Sequence, residues 1–196
     1  MKIELGAKNC LYPMPTTIVG ANVGGKPSYC TIAHVGIVNL GSISLSMAKV
    51  HYTNMGIKEN GTFSVNIPSI EMVKETDHCG LVSGKNVDKS RLFENFYGKL
   101  KSAPMVKKCP INMECRLMKT VDFPQHDLFI GEIVATYCDE QYITNGVVDF
   151  SKVQPLLFVM NDTSYWTIGK RFVGCTPVVR QKRLGGFGEL LPILVV

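Results

Sequence analysis

The chain has 196 residues, of which 45% are hydrophobic and 19% are charged. These values are typical of a globular protein with a sizeable core and argue against a disordered chain. The formal net charge of +5 is compatible with an anionic ligand. Because the basic residues are scattered and form no long cationic run, we expect no nucleic-acid partner.

The first residues, "MKIELGAKNC", lack the apolar stretch of a secretory signal. No apolar run approaches the ~18 residues that a membrane span needs. We therefore expect a cytoplasmic protein with no membrane partner. The seven cysteines show no C-x-x-C spacing and the four histidines show no helical pairing, so we expect no metal site and mostly buried, reduced thiols.

The first half of the chain consists of short β-like runs separated by glycines. "TTIVGANV" leads through "GGK" and returns along "PSYCTIAHVGIVNL", which predicts a hairpin. "SISLSMAKV" alternates with a period of two, placing Ile43, Leu45 and Met47 on one face and serines on the other. One face is expected to meet the core, and the other to meet water or a ligand.

Two helices are predicted next. Thr53 is a candidate N-cap for "NMGIKEN", and Gly61 provides a left-handed stop. After a strand at "TFSVNI", Ser69 is the predicted N-cap of a helix through "SIEMVKETDHCG", with Gly80 past its end. "SGKNVDKSRLFENF" predicts a loop followed by a short helix.

The second half of the chain returns to strands. "NMECRLMKTVDFP" and "HDLFIGEIVATYCDE" predict two long antiparallel strands joined at Pro124 and Gln125. "QPLLFVMND" and "YWTIGKRFVG" predict two shorter ones. Many strands with Gly and Pro turns, plus a few short helices, indicate one mainly β domain over residues 1–196, built as a β-barrel with helical connections.

Motifs of several enzyme classes are absent from the sequence. There is no G-x-S-x-G elbow, no phosphate-binding P-loop and no H-E-x-x-H motif. The glycines of "RLGGFGE" lack the strand–turn–helix context of a dinucleotide-binding fold. What remains as candidate chemistry is a set of small polar and basic groups beside turns.

The segment "MAKVHYTNMG" is a candidate phosphate site. The Thr53 hydroxyl and the free N–H groups of its helix suit an anion, because helix N-termini carry partial positive charge. Lys49 would add a point charge. The simpler interpretation is that Thr53 only caps the helix and that Lys49 is solvated.

Two further segments offer candidate binding groups, and the first of them suits a flat heteroaromatic ring. In "CTIAHVG", the small residues between Thr31 and His34 let a ring approach backbone N–H and C=O groups, although a plain core strand has the same composition. "HCGLVSGKNVDK" offers Ser83, Lys85 and Lys89 around a glycine, although a solvated surface loop also explains them.

In this order, these segments resemble the flavin reductase-like family, and its flavoredoxin branch in particular. The resemblance covers about residues 13 to 165. It is carried by "IVGANVGGKPSYCTIAHVGIVN", "SLSMAKVHYTNMGIKENGTFSVNIPS", "TDHCGLVSGKNVDK" and "HDLFIGEIVATYCDE". It implies an FMN-binding split β-barrel, Greek-key-like with short helices, that forms a homodimer with each flavin close to the subunit interface.

The resemblance also implies the residues of the flavin site. Thr53 with Lys49 would hold the phosphate, residues 28–34 would line the isoalloxazine ring, and Lys85 or Lys89 would supply a cation, a choice that the sequence does not make. No catalytic residue and no metal ligand is implied. The full implied set is Ser28, Thr31, Ile32, Ala33, His34, Ser46, Lys49, Thr53, Asn54, Lys85, Lys89, His126 and Phe158.

Two positions depart from the flavoredoxin pattern, which often has Asn where Ser28 stands and Trp where His34 stands. A smaller Ser loses an amide contact, and a His replaces broad stacking with a titratable group. The carboxy-terminal segment 170–196 matches no motif and is expected to cover the barrel or contact the partner subunit.

The function implied by the resemblance is that of an FMN oxidoreductase. NAD(P)H would reduce the flavin, and electrons would pass to free flavin, iron or a protein acceptor. Because the cofactor carries the redox chemistry, the lack of a catalytic triad is expected. The alternatives are an FMN electron carrier without NAD(P)H activity of its own and a non-catalytic flavin-binding barrel.

Overall fold

A computed structural model describes residues 1–171 of the protein. Apart from its first two residues, the predicted 170–196 extension lies outside the described residues. The helices are α1 (Thr53–Asn60), α2 (Val73–Leu81) and α3 (Phe150–Val153), with 3-10 turns at Ile70–Met72 and Glu140–Tyr142. The strands are β1 (Met14–Pro15), β2 (Thr17–Val23), β3 (Lys26–Ile32), β4 (Val35–Asn39), β5 (Ser42–Ala48), β6 (Thr62–Ile67), β7 (Asn95–Phe96), β8 (Met105–Val106), β9 (Ile111–Asp122), β10 (His126–Cys138), β11 (Ile143–Thr144), β12 (Val147–Val148), β13 (Leu156–Val159) and β14 (Ser164–Thr167).

Seven strands form one antiparallel sheet in the order β3-β2-β6-β9-β10-β5-β4. Strands β3 and β4 lie at opposite edges of this sheet, yet only Ala33 and His34 separate them along the chain. We call these two residues the seam. Because the two edges must meet at the seam, the sheet curls into a barrel. The predicted mainly β split barrel is therefore confirmed.

The predicted hairpin at the start of the barrel is also confirmed. Strands β2 and β3 are joined by Gly24 and Gly25, whose φ angles of 54° and 78° are those that a two-residue turn of this kind requires. The returning segment does not continue as one strand, however. At the seam the His34 carbonyl accepts a hydrogen bond from the Ser46 N–H (2.9 Å), so the chain changes its partner from β2 to β5.

The alternation of β5 sets the barrel core, as the sequence predicts. Ile43, Leu45 and Met47 are buried in the same core cluster as Phe63 of β6 and Phe129 of β10. Burying each such side chain contributes about 1.5–3 kcal/mol relative to leaving it in water. The serines of β5 lie on the opposite face, where one of them reaches a cleft described below.

Helix α1 begins at Thr53 itself, so the predicted N-cap role of Thr53 is wrong. The N-cap position is occupied by Tyr52, whose side chain makes no capping hydrogen bond. Thr53 is buried within the first turn, and its Oγ1 lies 3.2 Å from Ser28 Oγ. The predicted stop at Gly61 is confirmed, since Gly61 has φ 63° and its N–H donates to the Ile57 carbonyl.

The second predicted helix is displaced. Ser69 precedes a 3-10 turn rather than an α-helix and makes no side-chain capping bond, and Gly80 lies inside α2 instead of past its end. A Cβ at Gly80 would lie 3.3 Å from the Thr31 side chain. The absence of a Cβ thus lets the helix continue close to β3.

The predicted short helix in "SGKNVDKSRLFENF" is wrong. Residues 82–94 form turns that lead into β7. The Phe93 ring meets Tyr29 edge-on at 5.3 Å, and the Lys89 side chain is buried beneath the segment. These tertiary contacts hold the chain in an irregular path that its helix-forming residues alone do not indicate.

The two long strands and "QPLLFVMND" predicted in the second half are confirmed, whereas "YWTIGKRFVG" forms a strand only at its start, in β14, and its last three residues lie outside the described residues. Strands β9 and β10 pair antiparallel from Asp122 opposite Asp127 to Ile111 opposite Cys138. Strand β13 pairs with both β14 and β1 beside the barrel. Within residues 1–171 no helix is long and apolar enough to cross a bilayer.

Candidate functional site

A cleft runs from the seam along β3 as three adjoining cavities. Their volumes are about 410, 250 and 270 Å³, and they are called here the first, second and third cavity. The first and second share His51 and Gly80, and the second and third share Gly84 and Lys89. The cleft therefore suits an elongated ligand.

The first cavity is formed where three hairpins end. Strand β3 and the seam supply one wall, β5 and the start of β10 supply the next, and α2 with the β13–β14 hairpin closes the other side. The wall along the seam is formed by residues 31–34, which include the small Thr31 and Ala33 as well as Ile32 and His34. The structure brings together here the predicted residues Thr31, Ile32, Ala33, His34, Ser46, His126 and Phe158.

Two polar atoms at the first cavity lack partners. Thr16 Oγ1 and His34 Nε2 are buried and make no hydrogen bond to any residue in the described 1–171 span. Leaving such an atom unsatisfied costs about 1–3 kcal/mol. Both atoms lie behind the cavity wall, so their lack of partners is a local cost of the fold at this site.

Lys89 lies between the second and third cavities and is the main charged feature of the cleft. Its side chain is 4% exposed, and its Nζ donates to the carbonyls of Tyr29 (2.9 Å) and Cys79 (2.7 Å). In the described part of the chain, none of the ion pairs involves Lys89. Since an ammonium has three N–H donors, one remains for an anionic ligand.

The other candidate lysine, Lys85, is exposed and lines only the third cavity. Lys26 lines the same cavity, and the sequence analysis missed it. Asp88 stands at this rim as well, and its carboxylate accepts from the Ser90 N–H (2.9 Å). The geometry therefore distinguishes the two predicted lysines by burial and favours Lys89 as the cationic contact.

Ser28 and Thr53 form a hydroxyl pair at the phosphate end of the predicted site. The two oxygens are 3.2 Å apart and both residues are buried. Thr53 lines the second cavity and Ser28 the third, so the pair stands at the boundary between them. This arrangement keeps Thr53 in the candidate site even though it is not a helix cap.

Two predicted contacts are not brought to the cleft. The Lys49 ammonium pairs with Asp122 Oδ1 (2.5 Å), and Lys49 lines none of the three cavities. Asn54 turns towards the barrel instead, where its Nδ2 donates to the Ala48 carbonyl (3.0 Å) and to Asp127 Oδ2 (3.4 Å). Both side chains are held by partners distant in sequence.

The sequence analysis also missed His51, which lines both the first and the second cavity. Its Nδ1 lies 2.9 Å from Cys30 Sγ. Burial raises the pKa of the Cys30 thiol to about 12. Burial, and then the nearby Lys89 ammonium, lowers the pKa of His51. Both groups are thus neutral near pH 7. The contact was not predicted from the sequence because the two residues are 21 positions apart and no spacing rule links them.

A further missed pair closes the far side of the first cavity. The Tyr165 hydroxyl donates to Asp77 Oδ1 (3.0 Å), and both residues line the cavity. Burial, followed by the neighbouring carboxylate, raises the pKa of Tyr165. The phenol therefore stays protonated and fastens β14 to α2, which fixes the width of the cavity.

The groups around the cleft favour binding over acid–base or metal chemistry. Among residues 1–171 there is no cluster of three or more His, Cys, Asp or Glu side chains suited to a metal ion. The Cys30 thiol, which lines the second cavity, has a raised pKa because burial disfavours the thiolate. The cleft thus offers a cavity beside the seam at one end and a buried ammonium, Lys89, towards the other.

The comparisons with known proteins agree with this geometry. The family model described as a flavin reductase like domain matches residues 9–165. The flavoredoxin from Methanosarcina acetivorans is 47% identical and superposes with a TM-score of 0.89, covering 93% of this chain and 99% of that chain. The flavoredoxin of Desulfovibrio vulgaris (Miyazaki F) is 32% identical with a TM-score of 0.83, covering 89% and 97%.

A more distant structure shares the fold. An FMN-binding protein from Thermus thermophilus is 19% identical with a TM-score of 0.75, over 89% of this chain and 97% of that chain. The family match spans the barrel and all three cavities of the cleft. The chain therefore belongs to the flavin reductase-like family, with the split-barrel fold of its flavoredoxin relatives.

Proposed function

We propose that the protein binds FMN and uses it to take a hydride from NAD(P)H and to pass electrons to free flavin, iron or a protein acceptor. The observation that carries the cofactor assignment is the buried Lys89 ammonium, which has no carboxylate partner among the described residues. An anionic ligand in the cleft would compensate its burial. The nicotinamide donor is proposed from the family resemblance alone.

The residues of the cleft fit the parts of FMN. The first cavity would take the ring, against the backbone of residues 31–34 and beside Ser46 and His126. The Ser28–Thr53 hydroxyl pair and Lys89 would hold the anionic end near the second and third cavities.

Absorbance tests the cofactor assignment directly. We expect the purified protein to be yellow, or to quench the fluorescence of added FMN with a stoichiometry of one flavin per chain. A matched titration with riboflavin, which lacks the phosphate, should show weaker binding because it offers no charged group to Lys89. Protein that is colourless and takes up neither compound would contradict the proposal.

An electron carrier without NAD(P)H activity is the second candidate function. The similarity to two flavoredoxins over nearly their whole length favours it. Anaerobic mixing with NADH and NADPH separates the candidates. Bleaching of the flavin supports the reductase, and persistent colour that a chemical reductant then bleaches supports the carrier. Colour that no reductant bleaches would support a non-catalytic flavin-binding barrel.

We also propose that two copies of the chain associate, as the resemblance implies. Strand β4 is an edge strand; Ile37 within it and Leu40 just after it are 88% and 84% exposed. Exposed apolar side chains along an edge strand are typical of an interface. Sedimentation equilibrium should give twice the chain mass of 21.6 kDa, and Ile37→Lys should shift the mass towards a single chain. A wild-type protein of single-chain mass would contradict the dimer.

A further inference from the structure

The cleft contains a thiol–imidazole contact to which the proposed function assigns no role. Cys30 lies in β3, and His51 lies in the turn between β5 and α1. Cys30 Sγ and His51 Nδ1 are 2.9 Å apart. Cys30 lines the second cavity, whereas His51 lines the first and the second, so the imidazole stands where the two cavities join.

The direction of this hydrogen bond follows from the groups around it. The thiol has two acceptors within reach, His51 Nδ1 at 2.9 Å and the Thr31 carbonyl at 3.8 Å. Burial raises the pKa of Cys30 to about 12, so the sulfur keeps its proton at neutral pH. The pKa of His51 is lowered by burial, by Lys89 and by His126, so the ring is neutral and one nitrogen accepts. The nearer acceptor is that ring nitrogen.

A thiol proton donated to Nδ1 has a consequence for the other ring nitrogen. A neutral imidazole that accepts at Nδ1 carries its proton on Nε2. Within the described chain, His51 makes no side-chain hydrogen bond other than the one to Cys30. The Nε2–H donor is therefore left for whatever occupies the junction of the two cavities.

We propose that Cys30 is a positioning residue that fixes His51 in the Nε2–H tautomer, so that His51 serves as a hydrogen-bond donor to an acceptor atom of the bound ligand. The inference rests on the proposed function for the identity of that ligand. A donor at the junction of the first and second cavities suits a carbonyl or ring-nitrogen acceptor of a flavin whose ring lies in the first cavity. It also gives Cys30 a role that requires no thiolate and no redox chemistry.

The tautomer is measured on the protein without ligand. Long-range ¹H–¹⁵N correlation spectra of protein labelled at histidine distinguish Nδ1–H from Nε2–H rings, and the spectrum of His51→Ala assigns the His51 signals. We expect a single Nε2–H form in the wild type and in Cys30→Ser, whose hydroxyl is still a donor. We expect a mixture of tautomers in Cys30→Ala. Cys115→Ala, a buried cysteine of the barrel core away from the cleft, is the matched control and should resemble the wild type.

Flavin affinity is the second readout. Losing one ordered donor should weaken FMN binding roughly 2-fold to 12-fold in Cys30→Ala, with no change in Cys115→Ala. The double variant Cys30→Ala with His51→Ala should bind no more weakly than His51→Ala alone, because both changes remove the same hydrogen bond.

The two readouts separate the inference from the function on which it rests. An Nδ1–H or mixed ring in the wild type would overturn the positioning role, whatever the ligand. If Cys30→Ala does not fold, the wild-type spectrum and Cys30→Ser still decide the tautomer. If the wild-type ring is Nε2–H but the protein binds no FMN, the proposed function is contradicted. The hydrogen bond from Cys30 to His51 would still be supported in that case. Unchanged FMN affinity in a folded Cys30→Ala variant would contradict the ligand contact.

Discussion

Replacing Lys89 with Met removes the ammonium while retaining an unbranched chain of similar length. The ammonium donates to the Tyr29 and Cys79 carbonyls at 2.9 and 2.7 Å. Each hydrogen bond from a charged donor contributes about 1.5–3 kcal/mol, and the variant no longer has to desolvate a charge. Since these effects oppose each other, we expect the free energy of unfolding to fall by only about 1–3 kcal/mol.

We expect Lys89→Met to raise the Kd for FMN much more than a control substitution of an exposed lysine does. Loss of one charged hydrogen bond to the ligand corresponds to about 1.5–3 kcal/mol, which raises the Kd for FMN about 10-fold to 150-fold. Lys85→Met is the matched control, because Lys85 lines only the third cavity and is exposed. Its interaction is screened by water and salt, so its Kd should change less than about threefold at 0.15 M salt.

Fluorescence titration of FMN gives the Kd, and urea unfolding of the ligand-free proteins gives the stability. Circular dichroism confirms that each variant is folded before titration. A folded Lys89→Met protein that binds FMN within about twofold of the wild type would refute the assignment of Lys89 to the ligand. If its stability fell with no change in Kd, the ammonium would be a purely structural group that holds the loop onto β3.

Three further substitutions test other parts of the structure. Thr53→Val should raise the Kd for FMN about 2-fold to 12-fold through loss of one neutral hydrogen bond, and an unchanged Kd would count against the hydroxyl pair. Glu114→Gln should lower the free energy of unfolding by about 2–4 kcal/mol in urea, because the buried carboxylate accepts from two backbone N–H groups and from the Tyr137 hydroxyl. The Kd of the Glu114→Gln variant for FMN should equal that of the wild type. A changed Kd would show that the backbone segment bound by the Glu114 carboxylate influences the cleft. Gly56→Ala places a Cβ against the Asn22 carbonyl oxygen. It should lower the free energy of unfolding in urea by about 1–3 kcal/mol. A decrease in the free energy of unfolding of less than about 0.5 kcal/mol would show that α1 can shift away from β2 at little energetic cost, and would contradict this prediction.

The barrel strands could be predicted because their signals are local. Alternation in β5 and the two glycines between β2 and β3 act over a few residues and agree with the final packing. The predicted helix boundaries are wrong where contacts between residues distant in sequence determine the path of the backbone. Gly80 continues α2 because its missing Cβ accommodates Thr31, and the segment around Lys89 and Phe93 avoids a helix because both side chains are buried against β3 and α2.

The candidate site was predictable as a set of segments but not as a set of contacts. Order along the chain identified the ring-binding segment at the seam, and the structure gathers it around the first cavity. Spacing cannot show where a long side chain points, so Lys49 was expected at the phosphate although its ammonium pairs with Asp122. Nor can spacing choose between Lys85 and Lys89, because it does not show that Lys89 is buried and Lys85 exposed. The Cys30–His51 contact carries no sequence signal of any kind.

The seam has a consequence for when the first cavity forms during folding. The first cavity takes Thr31 from the β2–β3 hairpin, Ser46 from β4–β5 and His126 from β9–β10. Each hairpin is local and forms quickly, whereas pairings between hairpins, such as Ser46 opposite Leu128, close long loops and form late. The cavity thus exists only once all three hairpins have docked. If the cavity binds a flavin, the rate of flavin binding during refolding would report the rate of this last docking step. Partly folded chains rich in β-structure would bind no flavin and would remain colourless.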